Sequence, residues 1–538
     1  MQPLKISEAS PFRSFQSGLQ LVEAARPLDD LLASGGDGRL TLNARDGRNV
    51  YGCTPFPRPG MLDFASSTAS SISPQAYQRA QEAQARMWLK AALCGVPQAF
   101  DDCMDAARDA LCRQLNISTE VVFSPSGTDA QLQALFLVKA LLGTPLVTII
   151  AGADQTGSGT AHTARGHHFS DCTSLGTLVQ KAAPVCGLSE QVETLGVSFC
   201  DEAGKLRSDD EMDAAVYGAV AKAIGAGKKV LLQAMDASKL GWRGPSAACL
   251  ATITAAWPGQ VCVVVDACQM RLGRPQLNDY LERGYFVLVT GSKFFTGPAF
   301  SGALLVPAAQ AAAIDRIDRV PQGLGHYTTR FDWPRRWHRI RQALPHKPNA
   351  KPNYGQWLRW EATLAQMEAY FAVPAAFRDG LLEAFAAQVP GLIAASNNLS
   401  LLTEHCGGID PERSDEMRHR TIFAFVPHSG GQALSPERCA MLYRALGRDL
   451  SHMLPPGAPA QVRAIAARVC QIGQPVVLRH RPGAALRICA SARMVSDGWS
   501  RDQAPSQVLT QLLEDVRAVI RKIDWLLAHP QFCQTDEP

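Results

Sequence analysis

The sequence lacks three features that would indicate other classes of protein: an excess of one charge, an uninterrupted apolar span and a paired-cysteine motif. Its 53 lysines and arginines nearly balance 49 acidic residues, for a net charge of +4, so neither a nucleic-acid footprint nor a membrane surface is indicated. The longest apolar stretch, residues 132–153, is interrupted by Lys139, Gly143 and Pro145, which favours a helix followed by a strand over a membrane span. We therefore expect no nucleic-acid partner and no membrane partner.

The fifteen cysteines include no Cys-x-x-Cys pair, and we predict no metal site. His167, His168 and Cys172 lie close together in the sequence, but no second cluster of ligands accompanies them. Six cysteines lie within apolar periodic segments and are expected to be buried, reduced thiols: Cys94, Cys103, Cys112, Cys262, Cys268 and Cys489. Residues 1–8 contain no apolar core of the kind found in signal peptides. These observations favour a cytoplasmic protein.

At 538 residues the chain is too long for one hydrophobic core. We predict an N-terminal arm over 1–75, a large domain over 76–350, and a linking helix with a small α+β C-terminal domain over 351–538. Strand patterns alternate with helical patterns in the large domain, which predicts an α/β fold with a mainly parallel sheet and helices on both faces. The predicted strands are 119–124, 146–151, 195–200, 229–235, 261–266, 285–290 and 302–306.

A lysine follows one of these predicted strands directly. The apolar run 285–290 leads into a loop that carries Lys293. A lysine close to the end of a buried strand loses hydration, which lowers its pKa and favours the neutral, nucleophilic amine. Such an amine can form a Schiff base. The alternative is an ordinary solvated loop lysine, and the surroundings of Lys293 decide between the two. Lys239, which follows the strand pattern 230–235, is a second candidate amine.

Two further strand ends supply these surroundings. The apolar run 261–265 ends in Asp266, and an acid at the carboxyl end of a parallel strand points into a crevice. The strand pattern at 121–124 leads into an apolar helix, so Gly127 and Thr128 lie at a helix N-terminus, where free amides bind phosphate. A phosphate-binding turn, a buried carboxylate and a reactive lysine together indicate a site for pyridoxal 5'-phosphate (PLP), in which the acid keeps the pyridine nitrogen protonated.

These motifs resemble those of fold-type I PLP-dependent enzymes, and most closely the branch of class V aminotransferases and cysteine desulfurases. The resemblance is carried by Ser-Gly-Thr-Asp-Ala at 126–130, Asp-Ala-Cys-Gln at 266–269, Thr-Gly-Ser-Lys at 290–293, and Gly297-Pro298 with Gly302. That branch usually has a histidine immediately before the lysine, where this sequence has Ser292. The resemblance covers most of 60–306 and is weaker beyond it.

The resemblance implies a role for each matching residue. Lys293 is expected to form the Schiff base, Asp266 to contact the pyridine nitrogen, and Gln269 to donate a hydrogen bond to the ring oxygen. Thr128, Thr290 and Ser292 are expected to contact the phosphate beside Gly127. The residue that stacks on the ring is left open among Gln155, Thr156 and His162. Arg487 is expected to bind the substrate α-carboxylate, with Arg493 as second choice and a solvated strand residue as the alternative for Arg487.

The implied activity is a PLP-dependent reaction of an amino acid in a cytoplasmic homodimer with shared active sites. Transamination is the first expectation, because it needs only the lysine, Asp266 and a carboxylate-binding group. The alternatives are a Cβ or Cγ lyase, including carbon–sulfur cleavage, an α-oxoamine synthase, and a regulatory protein that binds the cofactor without catalysis. Persulfide chemistry would need a mobile cysteine, and Cys406 lacks the flanking residues typical of one.

A basic and aromatic stretch at 316–351 resembles a nucleic-acid-binding tract. It contains Arg330, Arg335, Arg336, His338, Arg339, Arg341, His346, Lys347 and Lys351 near Trp333 and Trp337. Because the rest of the chain has no matching charge excess, we favour a surface segment that forms salt bridges to the body of the protein or to a partner subunit.

Overall fold

The computed structural model describes residues 22–345, 352–404, 406–407, 415–499 and 504–534. Its strands are β1 Leu62–Phe64, β2 Glu120–Ser124, β3 Leu146–Ala151, β4 Val192–Val197, β5 Lys229–Met235, β6 Val261–Asp266, β7 Phe286–Thr290, β8 Gly302–Val306, β9 Leu399–Leu401, β10 Ile422–Ser429, β11 Gln432–Ala433, β12 Cys470–Val477 and β13 Ala484–Cys489.

The first part of the chain contains helices α1 Leu28–Leu32, α2 Pro74–Cys94, α3 Val96–Leu115, α4 Gly127–Leu142, α5 Thr160–Thr163, α6 Asp209–Gly225, α7 Ala247–Ala256, α8 Arg274–Glu282 and α9 Ala308–Ile314. The later part contains α10 His338–Ala343, α11 Tyr354–Ala372, α12 Ala375–Ala394, α13 Pro436–Leu446, α14 Ala460–Ala467, α15 Ala492–Gly498 and α16 Pro505–Ala528. None of the helices in these described ranges combines the length and apolar character that a bilayer crossing requires.

The larger sheet has seven strands in the order β2-β8-β7-β6-β5-β3-β4. Strand β8 is antiparallel to β2 and β7, and the other pairs are parallel. Six of the seven strands therefore run in one direction, and their carboxyl ends meet at one edge. This is the mainly parallel α/β sheet that the sequence predicts, so that prediction is confirmed.

The larger sheet separates two hydrophobic cores, as the alternation of side chains along β2 illustrates. Val121 and Phe123 pack into one core and Val122 into the other, because successive side chains of a strand point to opposite faces. Helix α4 packs against β7 and β8 and is buried over residues 129–138. This burial fixes the N-terminus of α4 beside the strand ends.

The smaller sheet contains β1-β12-β13-β10-β11, with β9 paired to β10. Strand β1 comes from the predicted N-terminal arm and pairs in parallel with β12. The arm is also held through Arg359 of α11, a fully buried residue whose guanidinium donates to the carbonyls of Leu32, Ser34 and Gly35. Residues 22–75 therefore contact both helix α11 and the smaller sheet.

Four of the predicted strands of the large domain match β3, β5, β6 and β8 residue for residue, and two others differ by one residue at the start. The predicted strand at 195–200 exists, but its bounds are wrong by three residues, since β4 spans Val192–Val197. β4 lies at the edge of the sheet and alternates between partly buried and exposed residues at its start. The exposed start of an edge strand gives little apolar signal, while the buried Phe199 and Cys200 lie just after the end of β4.

The prediction that Cys94 is buried is also wrong, because this residue is exposed at the C-terminal end of α2. Cys262 and Cys489 are buried, as expected. Cys103, Cys112 and Cys268 are of intermediate exposure, and all fifteen cysteines are free thiols.

The described part of the basic stretch 316–351 forms ion pairs with acidic residues of the body. Arg335 contacts Asp102 at 2.6 Å, Arg341 contacts Asp101 at 2.6 Å, and Arg336 pairs with an acidic residue at the start of β2. The two tryptophans of the stretch are buried. The interpretation as a segment that forms salt bridges to the body is confirmed for these residues, while residues 346–351 lie outside the described ranges.

Candidate active site

Three of the predicted site elements meet at the carboxyl edge of the larger sheet. Asp266 ends β6 and Thr290 ends the neighbouring parallel strand β7. A Cβ atom added to Gly127, the first residue of α4, would lie 2.6 Å from Cys268 Sγ and 3.3 Å from Thr290 Cγ2. The backbone at the start of α4 therefore packs directly against the residues that follow β6 and end β7.

Lys293 lies three residues after β7 in a partly buried position. Its amine donates a hydrogen bond to the carbonyl oxygen of Thr68 and lies 5.9 Å from the centre of the Tyr51 ring. Burial, and then the positive charge of Lys239, lower the pKa of Lys293 to about 8. A sizeable fraction of this amine is therefore neutral near pH 7, as nucleophilic attack requires.

Asp266 is a partly buried carboxylate that forms no salt bridge among the described residues. Its Oδ1 atom accepts a hydrogen bond from the amide of Cys268 at 3.1 Å. Burial raises the pKa of Asp266, and the nearby carboxylate of Asp236 contributes to the same effect. A cation placed beside Asp266 would relieve this penalty, because an opposite charge stabilises the ionised carboxyl.

The N-terminus of α4 offers free backbone amides at Gly127 and Thr128. The helix is capped by Ser126, whose hydroxyl oxygen accepts from the Asp129 amide at 3.2 Å. Arg39, which the sequence did not single out, donates to the same hydroxyl oxygen at 3.4 Å, and its guanidinium is also paired with Asp37 at 2.7 Å. The backbone amides and the positive end of the helix dipole make this turn suitable for an anion.

The remaining predicted cofactor contacts surround the same edge. Gln269 is buried, and its side-chain amide donates to the carbonyl of Ser67 at 3.1 Å, while its Oε1 atom has no hydrogen-bond partner among the described residues. The hydroxyl of Thr290 donates to the Cys268 carbonyl at 2.7 Å, so its oxygen can contact a phosphate only as an acceptor in this arrangement. Ser292 is buried.

The three candidates for the ring-stacking position lie in the loop after β3 and in α5. Gln155 is buried and its Oε1 atom has no partner in the described part of the chain. Thr156 donates to the carbonyl of Ala153 at 3.1 Å. His162 is partly buried on α5, and burial lowers its pKa. The choice among the three stays a prediction.

Arg487 extends from β13 of the smaller sheet toward the same site and is only 1% exposed. Its Nη2 atom donates to Thr68 Oγ1 at 2.8 Å and its Nη1 atom to the carbonyl of Lys239 at 3.5 Å. Its Nε atom has no partner among the described residues, and burial lowers its pKa to about 10. This burial excludes the alternative of a solvated strand residue, and it leaves a guanidinium without an acidic partner.

Arg493, the second choice for the substrate carboxylate, is already engaged. Its Nη2 atom donates to the carbonyls of Ser71 and Thr296, each at 2.8 Å, and its Nη1 atom lies 3.7 Å from a carboxylate oxygen of Asp63. A guanidinium bound in this way holds the N-terminal arm against the lysine loop.

The sequence did not reveal how strongly residues 66–68 organise the site. Thr68 contacts both Lys293 and Arg487, and the Ser67 carbonyl binds Gln269. Lys239, set aside in the sequence as the second amine, also lies here, and its amine donates to the Thr156 carbonyl at 3.5 Å. The sequence offers one indication here, a run of small and mostly hydroxyl residues at 66–71. Such a run does not indicate which distant residues it contacts.

No protein-family model matches the chain, and no curated protein matches it. Among solved structures, mouse CSAD in its apo form is 13% identical with a TM-score of 0.49, over 95% of this chain and 99% of that one. A variant of C-DES with glycine covalently linked to its PLP cofactor is 12% identical with a TM-score of 0.49, over 85% and 97%. Oryza sativa TDC with PLP is 13% identical with a TM-score of 0.47, over 97% and 90%.

Proposed function

We propose that the protein is a PLP-dependent enzyme that acts on an amino acid and holds the cofactor covalently at Lys293. One observation carries the proposal: an amine with a pKa of about 8 and a carboxylate that forms no salt bridge within the described ranges lie at or just beyond the ends of adjacent parallel strands. Gly127 packs closely against the residues at these strand ends, so the anion-binding turn at the start of α4 lies at the same edge.

The residues present fit this cofactor. Asp266 would lie against the pyridine nitrogen, which supplies the missing cationic partner. The unpaired Oε1 atom and the amide of Gln269 leave this side chain able to contact the ring oxygen after a rotation. The amides of Gly127 and Thr128 would hold the phosphate. When bound, PLP supplies an electron sink for charge that develops at the substrate's α-carbon.

The other side chains of the site bind and orient the amino acid. Arg487 would form paired hydrogen bonds with the α-carboxylate, for which the guanidinium geometry is suited. The amine of Lys293 would accept or deliver the proton at the α-carbon, since its pKa lies close to neutrality. Lys239 adds a second positive charge to the pocket and favours an anionic substrate.

Within this class we propose transamination, because it needs only the lysine, Asp266 and a carboxylate-binding arginine. Cysteine persulfide chemistry is disfavoured, because Cys406 is 1% exposed and burial raises its pKa to about 12. A nucleophilic cysteine requires the thiolate and access to the substrate. We also propose a homodimer, as implied by the resemblance.

The reaction is tested by adding single amino acids to the purified holoprotein without a keto acid. With the correct substrate we expect loss of the yellow chromophore, recovery of the cofactor as pyridoxamine phosphate, and one keto acid released per cofactor consumed. Absorbance and mass spectrometry of the extracted cofactor measure this. Repeated release of keto acid and ammonia with the cofactor unchanged would instead indicate a lyase, and a chromophore that no amino acid perturbs would contradict enzymatic function.

The rate at which the cofactor-free protein takes up PLP is expected to rise with pH and to level off above about pH 8. The pKa of Lys293 is lowered to about 8, so about a tenth of the amine is neutral at pH 7, against roughly 0.04% for an unperturbed lysine. The measurement is the rate of chromophore formation between pH 6 and 10. A rate that still rises about sevenfold between pH 9 and 10, as for a lysine of ordinary pKa, would show that the amine is not perturbed.

A further inference from the structure

A small cavity of about 270 Å³ lies between the two sheets, and Lys293 is not among its described lining residues. One wall comes from the loop after β5, through Ala237, Leu240 and Gly241, and the facing wall comes from residues 419–422 at the start of β10. Ligand pockets for small molecules usually measure about 300–1,000 Å³, so the cavity suits a small metabolite or an inorganic ion and is too small for a polymer.

The lining of this cavity is positively charged. Arg243, Arg271, His419 and Arg420 line it, and none of its described lining residues is acidic. Arg243 is paired with Asp236 at 3.2 Å, and a carboxylate lies 2.9 Å from the His419 ring. The other two side chains, Arg271 and Arg420, have no acidic partner in the described ranges and leave two positive charges uncompensated.

Arg271 is only 3% exposed, and all its hydrogen bonds go to neutral groups. Its Nη1 atom donates to the carbonyls of Ala490 at 3.2 Å and Thr421 at 3.4 Å, and its Nη2 atom donates to Ser66 Oγ at 2.8 Å. Its Nε atom is buried without a partner among the described residues. Neutral partners satisfy hydrogen-bonding groups but do not compensate a buried charge.

Arg420 is partly buried beside Arg271, and it forms no hydrogen bond and no ion pair within the described residues. Burial lowers the pKa of Arg420, and burial lowers that of Arg271 to about 10. A partly buried guanidinium that faces a cavity without a partner is free to bind an anion with its paired donors.

We propose that this cavity binds a small, doubly charged oxyanion, such as phosphate or a short dicarboxylate, that Arg420 contacts directly and that the buried charge of Arg271 attracts. The described lining of the cavity includes neither Gly127, the predicted cofactor phosphate position, nor Arg487, the predicted carboxylate position. Its walls belong to the loop after β5 and to the strand β10 of the other sheet, so the ligand stabilises the packing between them.

The test is thermal unfolding of the holoprotein in inorganic phosphate and in chloride at matched ionic strength, with bound PLP filling the phosphate position at Gly127. We expect phosphate to raise the Tm by roughly 2 °C at 100 times the dissociation constant, with a further rise for each tenfold increase in phosphate concentration. A parallel series with succinate distinguishes a phosphate ligand from a dicarboxylate, and stabilisation by either supports the oxyanion site. An equal effect of chloride would overturn the proposal.

Two variants locate the effect. Arg420→Gln is expected to weaken the apparent affinity for phosphate at least tenfold, while Arg517→Gln, which removes the same charge from the exposed face of α16, leaves it unchanged. Phosphate should also slow the modification of Arg420 by phenylglyoxal, measured by mass spectrometry on the unmodified chain, without protecting Arg517. The proposal is overturned if Arg420→Gln keeps the full phosphate effect, or if Arg420 is modified at the same rate in both salts.

Discussion

Replacement of Lys293 by alanine is expected to abolish covalent attachment of PLP. The parent protein, reduced with borohydride, should retain roughly one cofactor per chain on the peptide that contains Lys293, and the Lys293→Ala protein should retain none. The reason is that the covalent link needs a neutral amine at this strand end. Amino acid turnover should fall by about 10²–10⁴-fold, the usual contribution of a general acid–base group. Absorbance and mass spectrometry of the reduced protein measure the attachment.

Lys239→Ala is the matched control for this experiment. Burial lowers the pKa of Lys239 to about 8, as it does that of Lys293, so both amines are reactive in principle. We expect the Lys239→Ala protein to keep its yellow chromophore. Because the positive charge of Lys239 helps to lower the pKa of Lys293, the midpoint for cofactor uptake should move to higher pH. If the chromophore is lost in the Lys239→Ala protein and retained in the Lys293→Ala protein, the covalent link is at Lys239, and the assignment to Lys293 is wrong.

The carboxyl edge of the larger sheet could be predicted from the sequence because its strands are buried on both faces. Such strands appear as continuous apolar runs, and a polar residue directly after the run marks the strand end. Asp266 and Lys293 were located in this way, and β6 was predicted residue for residue. The pattern fails at β4, where one side of the strand has no neighbour and the apolar run is not required.

Contacts between distant parts of the chain could not be predicted in this way. Thr68 lies 225 positions before Lys293 and 419 positions before Arg487, yet it contacts both. No periodicity links such residues, because their proximity depends on how the N-terminal arm crosses between the two sheets. The sequence also did not indicate that Lys239 lies in the site. Strand β5 is the parallel neighbour of β6 in the sheet, so both strands end at the same crevice, and strand order cannot be read from the sequence pattern.

Arg487→Gln is expected to reduce kcat/KM for the amino acid by roughly 30- to 5,000-fold. Removal of one partner of a buried, hydrogen-bonded charge pair costs about 2–5 kcal/mol, and Arg487 is a buried guanidinium with no acidic partner in the described ranges. The loss should appear mainly in KM, measured by titration of the chromophore with substrate. The free energy of unfolding of the ligand-free Arg487→Gln protein should equal or exceed that of the parent, because the substitution removes an uncompensated buried charge.

An amine that lacks the α-carboxylate separates recognition of the carboxylate from a general effect on the site. The parent and the Arg487→Gln protein should bind such an amine with similar affinity, while only the parent discriminates in favour of the amino acid. Arg493→Gln is the matched arginine control, and we expect it to lower the Tm, because Arg493 joins the arm to the lysine loop, with a smaller change in KM. If the Arg487→Gln protein loses affinity for the amine and for the amino acid equally, a carboxylate-binding role is contradicted. The substitution would then have altered the pocket as a whole.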